Sequence, residues 1–409
     1  MSRSRELRKH PTELLELQAD MASALAVAQE SKRSLERQLA DGADGAPGHV
    51  QRLHVAIAVA KRLAHVIKQI GDGIAWRTLN YDRPVIRQLA DKPQTGHIEL
   101  ESAIQEFAAA AEHVEHTGDI VVMNDLTNFL RHGDFTCVGG GGVTIAEYKG
   151  GTAARRSSRA KRQSRRLAEV LEFVNTGVRD ADGGLEILLR QRVMARSHLA
   201  TVAELIGEAR RKGAAQARLS PSLAVDILYF DLLAEISDPR KMASLLHDPF
   251  RQTREKVSHH SLGLFQEFSA NVAPYSIYPF SDEDCSDIMI GAVCLMSHFS
   301  HRNLARCLKR RGLSVVLPTE RQLSTYLSLP IGERRRAQDQ VAMRVWLPQG
   351  TRGLVLHMET TARMFAEFLD EESFADGIEE VLSRDDLFDG YDASVKFRAG
   401  FANEAELWD

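Results

Sequence analysis

Four consecutive glycines, Gly139 to Gly142, separate two short apolar-rich runs, Phe135-Thr136-Cys137-Val138 and Val143-Thr144-Ile145-Ala146. β-Branched and aromatic residues favour extended backbone, and glycines accept the positive φ angles of a tight reversal, so the pattern predicts an antiparallel hairpin. Side chains alternate across a strand with period two, which puts Glu147 and Lys149 on one face and Ala146 and Tyr148 on the other. Asp134 enters the first strand at the end away from the glycines, opposite the residues that leave the second. The hairpin is therefore expected to gather Asp134, Glu147 and Lys149 at its open end.

Two carboxylates a few ångströms apart repel unless a proton or a hard cation lies between them, and oxygen ligands favour Mg²⁺ or Mn²⁺ over zinc. A cation held there binds phosphate oxygens, lowers the pKa of its water and stabilises charge developing on phosphorus. Lys149 beside it would orient that water or neutralise the transition state. In outline this is phosphodiester hydrolysis. The competing reading is an ordinary surface hairpin with a salt bridge.

Asp, a hairpin turn, then Glu-x-Lys at the end of a strand resembles the PD-(D/E)XK nuclease superfamily, the restriction-endonuclease-like group, over roughly Gly96 to Leu232. The resemblance implies Asp134, Glu147 and Lys149 as catalytic residues, with Asp134, Glu147 and the backbone carbonyl of Tyr148 as ligands to Mg²⁺ or Mn²⁺. It also implies a further acidic ligand on the first helix of the core, for which Glu101 is the candidate; a solvated helix glutamate is the alternative. Two departures stand out. Gly133 replaces the proline that names the motif, and the Gln-x-x-x-Tyr pattern of some members is only half present, Gln163 being followed by Leu167.

Between Arg155 and Arg166 the chain carries Arg155, Arg156, Arg159, Lys161, Arg162, Arg165 and Arg166, with no acidic residue. Arg155, Arg159, Arg162 and Arg166 recur at helical spacing, and Leu167, Val170, Leu171 and Val174 continue the helix as an apolar stripe. Like charges at this spacing destabilise a helix, whereas a phosphate backbone offsets the repulsion through counterion release. Arginine suits bidentate phosphate contact, so Arg155, Arg156, Arg159, Arg162 and Arg166 are the candidate nucleic-acid contacts. A merely solvated basic face is the alternative. With a formal net charge of −4 over 409 residues, affinity for nucleic acid has to come from such a local patch.

The four cysteines, Cys137, Cys285, Cys294 and Cys307, lack Cys-x-x-Cys spacing, which argues against a zinc ribbon or a disulfide framework. His113 with His116, and His259 with His260, have no carboxylate or cysteine arranged with them as a metal set. No phosphate-binding Gly-x-x-x-x-Gly-Lys loop, no Gly-x-Ser-x-Gly elbow and no dinucleotide pattern occurs. The charged N-terminus lacks the apolar core of a signal peptide, and the longest apolar run, Ile288 to Met296, is too short to span a bilayer. A cytoplasmic location in a reducing compartment is expected.

Hydrophobic content of 44% is enough for two or three packed domains. Residues 1–71 read as a helical hairpin, Pro11 to Leu39 and His49 to Ile70, in which Leu53, Ile57, Ala60, Leu63, Ala64, Ile67 and Ile70 follow a helical period; this arm could form a homodimer or brace the core. Residues 72–235 read as the nuclease core. There the hairpin, the basic helix, a strand at Leu185 to Leu189, a helix at Ala200 to Arg211 and a strand at Leu223 to Phe230 predict an α/β fold, a mixed sheet flanked by helices. Just before the hairpin, Asn124, Asn128 and Arg131 point one way if the segment is helical.

Residues 236–409 read as a mostly helical α/β region that regulates or recognises. Strands are expected at Leu313 to Leu317, Val341 to Leu347 and Leu354 to Met358, and one helix from Thr360 to Leu382. The expectation is a metal-dependent nuclease acting on nucleic acid, DNA ahead of RNA. Large regions flanking such a core resemble bacterial anti-phage defence nucleases. A non-catalytic scaffold of the same fold, binding nucleic acid or protein, is the alternative.

Overall fold

The structure, a computed structural model, describes residues 10–41, 47–90, 100–130, 132–147, 158–181, 184–233, 258–262, 272–319, 321–322, 341–348, 352–387 and 394–408. It is an α/β protein with four small sheets among the described residues, and its contacts divide it into two compact units. The first comprises residues 1–189 with 274–277 and 394–398; the second comprises 190–273, 278–393 and 399–409. This partition differs from the three parts read from the sequence: the N-terminal helices belong to the first unit, and the chain changes unit near Leu189, well before residue 235. No helix among the described residues is long and apolar enough to cross a membrane.

In the first unit, α1 (Pro11–Ala40) and α2 (Pro47–Thr78) pack as a hairpin. Leu14, Leu15, Met21, Leu25 and Ala28 of α1, and Leu53, Ile57, Ala60 and Ile67 of α2, are buried at the expected period. Leu63 departs from it and is 48% exposed. After the short α3 (Arg83–Leu89), capped by the Asp82 side chain on Val85 N–H, come α4 (Leu100–Thr117) and a three-stranded antiparallel meander. Its strands are β1 (Ile120–Met123), β2 (Phe135–Gly139) and β3 (Gly142–Ala146).

The free edge of β1 is covered from α1. The buried Gln18 amide donates to Val121 O at 2.8 Å and accepts from Met123 N–H at 2.9 Å, as a neighbouring strand would. An edge strand otherwise presents unpaired backbone groups.

Helix α5 (Ser158–Thr176) lies against β3 and buries Val170, Phe173 and Val174. A second small sheet holds β4 (Val178–Ala181), β5 (Gly184–Arg190) and a late strand, Ser394–Gly400. There Arg179 stacks on the Phe173 ring and ion-pairs the buried Glu186.

The second unit follows from α6 (Leu199–Lys212), which stops at Gly213 in the left-handed region, φ +87°. Its main sheet has the order β6 (Ala214–Arg218), β7 (Leu223–Tyr229), then β9 and β8, where β8 is Ser258–Leu262 and β9 is Val293–Phe299. The one-turn α7 (Phe230–Leu233) follows β7, and α8 (Asp282–Ile290), capped by Ser281, precedes β9. Beyond β9 come α9 (His301–Arg310), a sheet of β10 (Ser314–Val316), β11 (Val341–Trp346) and β12 (Gly353–His357), then α10 (Met358–Ala366) and α11 (Glu371–Ser383).

Two expectations are corrected here. The single mixed sheet is replaced by separate small sheets, and the ladders β1–β2, β2–β3, β4–β5, β6–β7, β7–β9, β8–β9, β10–β11 and β11–β12 are all antiparallel. The reason lies in partner choice: the hairpin takes the short strand just before it, while the apolar β7 matches the equally apolar β9 over seven residues, Leu223 facing Phe299 through Tyr229 facing Val293. The single helix from Thr360 to Leu382 is broken at Phe368, whose φ of +53° no continuous helix admits, and Asp370 caps a new helix through Ser373 N–H.

Candidate active site

The hairpin forms in the expected register: Phe135 faces Ala146, Thr136 faces Ile145, Cys137 faces Thr144, Val138 faces Val143 and Gly139 faces Gly142. Of the four glycines only Gly142 takes a positive φ, +99°. At the open end, Asp134 N–H donates to Ala146 O at 2.9 Å, tying Asp134 to the last rung of the ladder, and Glu147 is the next residue along β3. Both are half-buried. Sequence separation alone would not place these two carboxylates at one end; the hairpin does.

Gly133 explains why no proline precedes the aspartate. Its φ is +69°, which a proline ring locked near −65° cannot reach. A Cβ there would also lie 2.5 Å from Ala146 O. Glycine is what lets the chain turn sharply into Asp134 against the end of β3.

The loop ahead of Asp134 is held by Asn124, which sits in a short 3₁₀ turn, Asn124–Leu126, and not in the helix that would aim Asn124, Asn128 and Arg131 together. Asn124 Nδ2 donates to His132 O at 2.7 Å and to Gly133 O at 3.2 Å, and its Oδ1 accepts from Thr136 Oγ1 at 2.9 Å. Asn124 N–H donates to Asp134 O at 2.9 Å. Asn128 turns elsewhere, its N–H and Nδ2 both donating to the buried Asp72 carboxylate, at 2.6 and 2.7 Å. Asp72 had no role in the sequence reading. Its signal was a carboxylate between glycines, Gly71-Asp72-Gly73, within an otherwise apolar helical stretch.

Tyr148, Lys149, Arg155, Arg156 and Arg131 lie outside the described residues. Glu101 lies on α4, and Arg159, Arg162 and Arg166 on the first half of α5, with their side chains outside the described residues. Arg165 is 84% exposed and pairs with Glu169 at 2.9 Å, a solvated contact. Cys137, in the middle of β2, has its thiol pushed up to about 11 by burial, so it is a neutral core group.

Other groups of potential ligands have structural partners. His113 pairs with Asp119 at 3.1 Å, and His116 Nδ1 lies 2.7 Å from Glu112 O. In the second unit Cys307, Glu371 and Glu372 bring ligand atoms within 4.8 Å of one another. There Glu371 accepts from Ser222 and Ser220, Glu372 pairs with Arg311, and burial, with the Glu371 charge added, pushes the Cys307 thiol up to about 12. That thiol stays protonated. Comparison with known proteins finds no matching family model, no matching curated protein and no matching solved structure.

Proposed function

We propose that this chain is a divalent-metal-dependent nuclease with a restriction-endonuclease-like core. The observation that carries the reading is the backbone bond from Asp134 N–H to Ala146 O, which puts Asp134 and Glu147 at one end of a rigid ladder. Two half-buried carboxylates there suit a hard cation, since an all-oxygen donor set selects Mg²⁺ or Mn²⁺ over softer metals. Asp134 and Glu147 would hold the ion, with the Tyr148 carbonyl and Glu101 as further ligands. When bound, it supplies Lewis acidity to the scissile phosphate and acidifies a water. Lys149, two residues past Glu147, orients that water.

The basic half of α5 lies on a helix that packs on β3. Arg155, Arg156, Arg159, Arg162 and Arg166 then contact phosphates, with DNA as the favoured substrate over RNA. Phage defence is the biological setting that the flanking regions suggest. The test is cleavage of labelled single- and double-stranded DNA and RNA with Mg²⁺ or Mn²⁺, using the native chain, Asp134→Ala and Lys149→Ala. Metal-dependent cutting that both variants lose is the expected result. Metal-independent binding that survives Lys149→Ala, with no cutting by the native chain, would replace the enzyme by a scaffold.

A further inference from the structure

Asn124 is 2% exposed and uses every polar group it has within one short stretch of chain. Its amide nitrogen must face His132 O and Gly133 O, because carbonyl oxygens only accept; its amide oxygen is thereby left for the Thr136 hydroxyl. Its backbone N–H reaches Asp134 O, and its carbonyl accepts from Thr127 N–H at 3.0 Å and Thr127 Oγ1 at 2.9 Å. One side chain therefore grips residues 132 and 133 before Asp134 and residue 136 after it. The far side of the same segment is pinned to α2: Asp72 takes both donors of Asn128, and a Cβ on Gly71 would lie 2.0 Å from Leu126 O. Buried amides that satisfy several backbone groups at once fix a single geometry, since each partner lost leaves a desolvated group unmatched.

We infer that Asn124 is a positioning residue that sets the Asp134 carboxylate for metal binding, with the Asp72–Asn128 pair anchoring the segment that carries it to α2. The inference rests on the nuclease reading proposed above. A stretch held from both ends can keep a carboxylate at ligand distance without touching the ion itself. Partners of this kind alter metal affinity by about 10- to 100-fold when removed.

The experiment is Mn²⁺ titration by calorimetry of the full chain and of Asp134→Ala, Asn124→Ala, Asn124→Asp and Thr136→Val, with far-ultraviolet circular dichroism and melting temperature for each. Asn124→Asp keeps the shape and removes the donor, so it stands in if Asn124→Ala does not fold. Thr136→Val removes only the bond to the amide oxygen, and gives the test a third, milder variant. The expected result is binding by the native chain, none by Asp134→Ala, about 10- to 100-fold weaker binding by the Asn124 variants, and a smaller weakening by Thr136→Val. A merely structural asparagine would lower the melting temperature and leave the Kd of the folded protein unchanged, which overturns the inference while the nuclease reading stands. Native protein that binds no Mn²⁺, or Asp134→Ala that binds it equally well, overturns both.

Discussion

The meander of the first unit and the ion pairs of the second show two ways of burying polar groups. In the second unit buried ionisable side chains meet one another: Asp226 and His298 lie 2.8 Å apart across adjacent strands, and Arg363, within α10, lies between Glu367 at 2.9 Å and Glu404 at 2.8 Å. In the first unit the meander is held by neutral amides, Gln18 and Asn124, that bond to backbone, while Asp134 and Glu147 stay half-buried at the end of the ladder. A buried charge with a fixed partner is committed to architecture.

The largest effect that would sharpen this contrast comes from Arg363→Ala. It leaves Glu367 and Glu404, 0% and 5% exposed, without their cation, and a loss of about 3–5 kcal/mol is expected, read as a lower urea midpoint with no change in Mn²⁺ affinity. For Asp134→Ala the expected effect is on activity: cleavage falls about a thousandfold, because a metal at that carboxylate supplies several kcal/mol to the transition state. Unchanged cleavage in Asp134→Ala would break the comparison.

Gly133→Ala lies between them. A positive φ and a contact with Ala146 O predict a cost of about 1–3 kcal/mol together with weakened metal binding, measured by melting temperature and calorimetry. That one residue joins the two behaviours, since the backbone strain falls directly on the candidate ligand.

Acid should act on both units alike. Burial, reinforced by the Arg62 charge, pushes the His65 pKa down to about 4, and burial does the same to His301. An unfolded imidazole titrates near about 6.5, so between that pH and 4 the unfolded chain binds protons that the folded chain does not. Stability is complete above about pH 6.5 and declines as pH falls toward 4. Melting temperatures across this range should drop, with His65→Gln flattening the fall for the first unit and His301→Gln for the second.

The smallest effect is expected at Arg165→Ala, within about 0.5 kcal/mol of the native chain, since its pair with Glu169 is solvated. Its value is as a control for the neighbouring Arg159, Arg162 and Arg166. Replacing those three by alanine should lower the salt dependence of DNA binding by a slope of about 2.7, measured by fluorescence anisotropy at several salt concentrations.

What was legible in the sequence follows the range of the interactions. The helix from Pro11, the strands at Phe135 and Val143, the helix near Leu199 and the strand at Leu223 are written in local periodicity, and each lies within a few residues of where it was expected. The four-residue β1 is too short to have a period, and β9 hides in an apolar run that a helix would share. The break at Phe368 goes with the surrounding packing, where Glu367 is held by Arg363 and Ala273 N–H, and its local sign is Asp370, the N-cap of the next helix.

At the candidate site the pairing of Asp134 with Glu147 could be read from a turn and a period. The positive φ of Gly133, +69°, could not be read from the residues alone. Asn124, Thr136 and Asp72 form bonds that depend on three elements folding together, and a sequence read linearly has no term for that.

The seal that Gln18 places on β1 also orders events during synthesis. Gln18 precedes Val121 by 103 residues, so at about 5–20 residues per second its helix leaves the ribosome about 5–20 seconds before the strand it covers. The cover exists before the edge does, and β1 need never emerge with its edge bare to a second nascent chain. A circular permutant that moves the first helix to the far end reverses this order, and the interval with the edge bare becomes the interval in which chains can join one another.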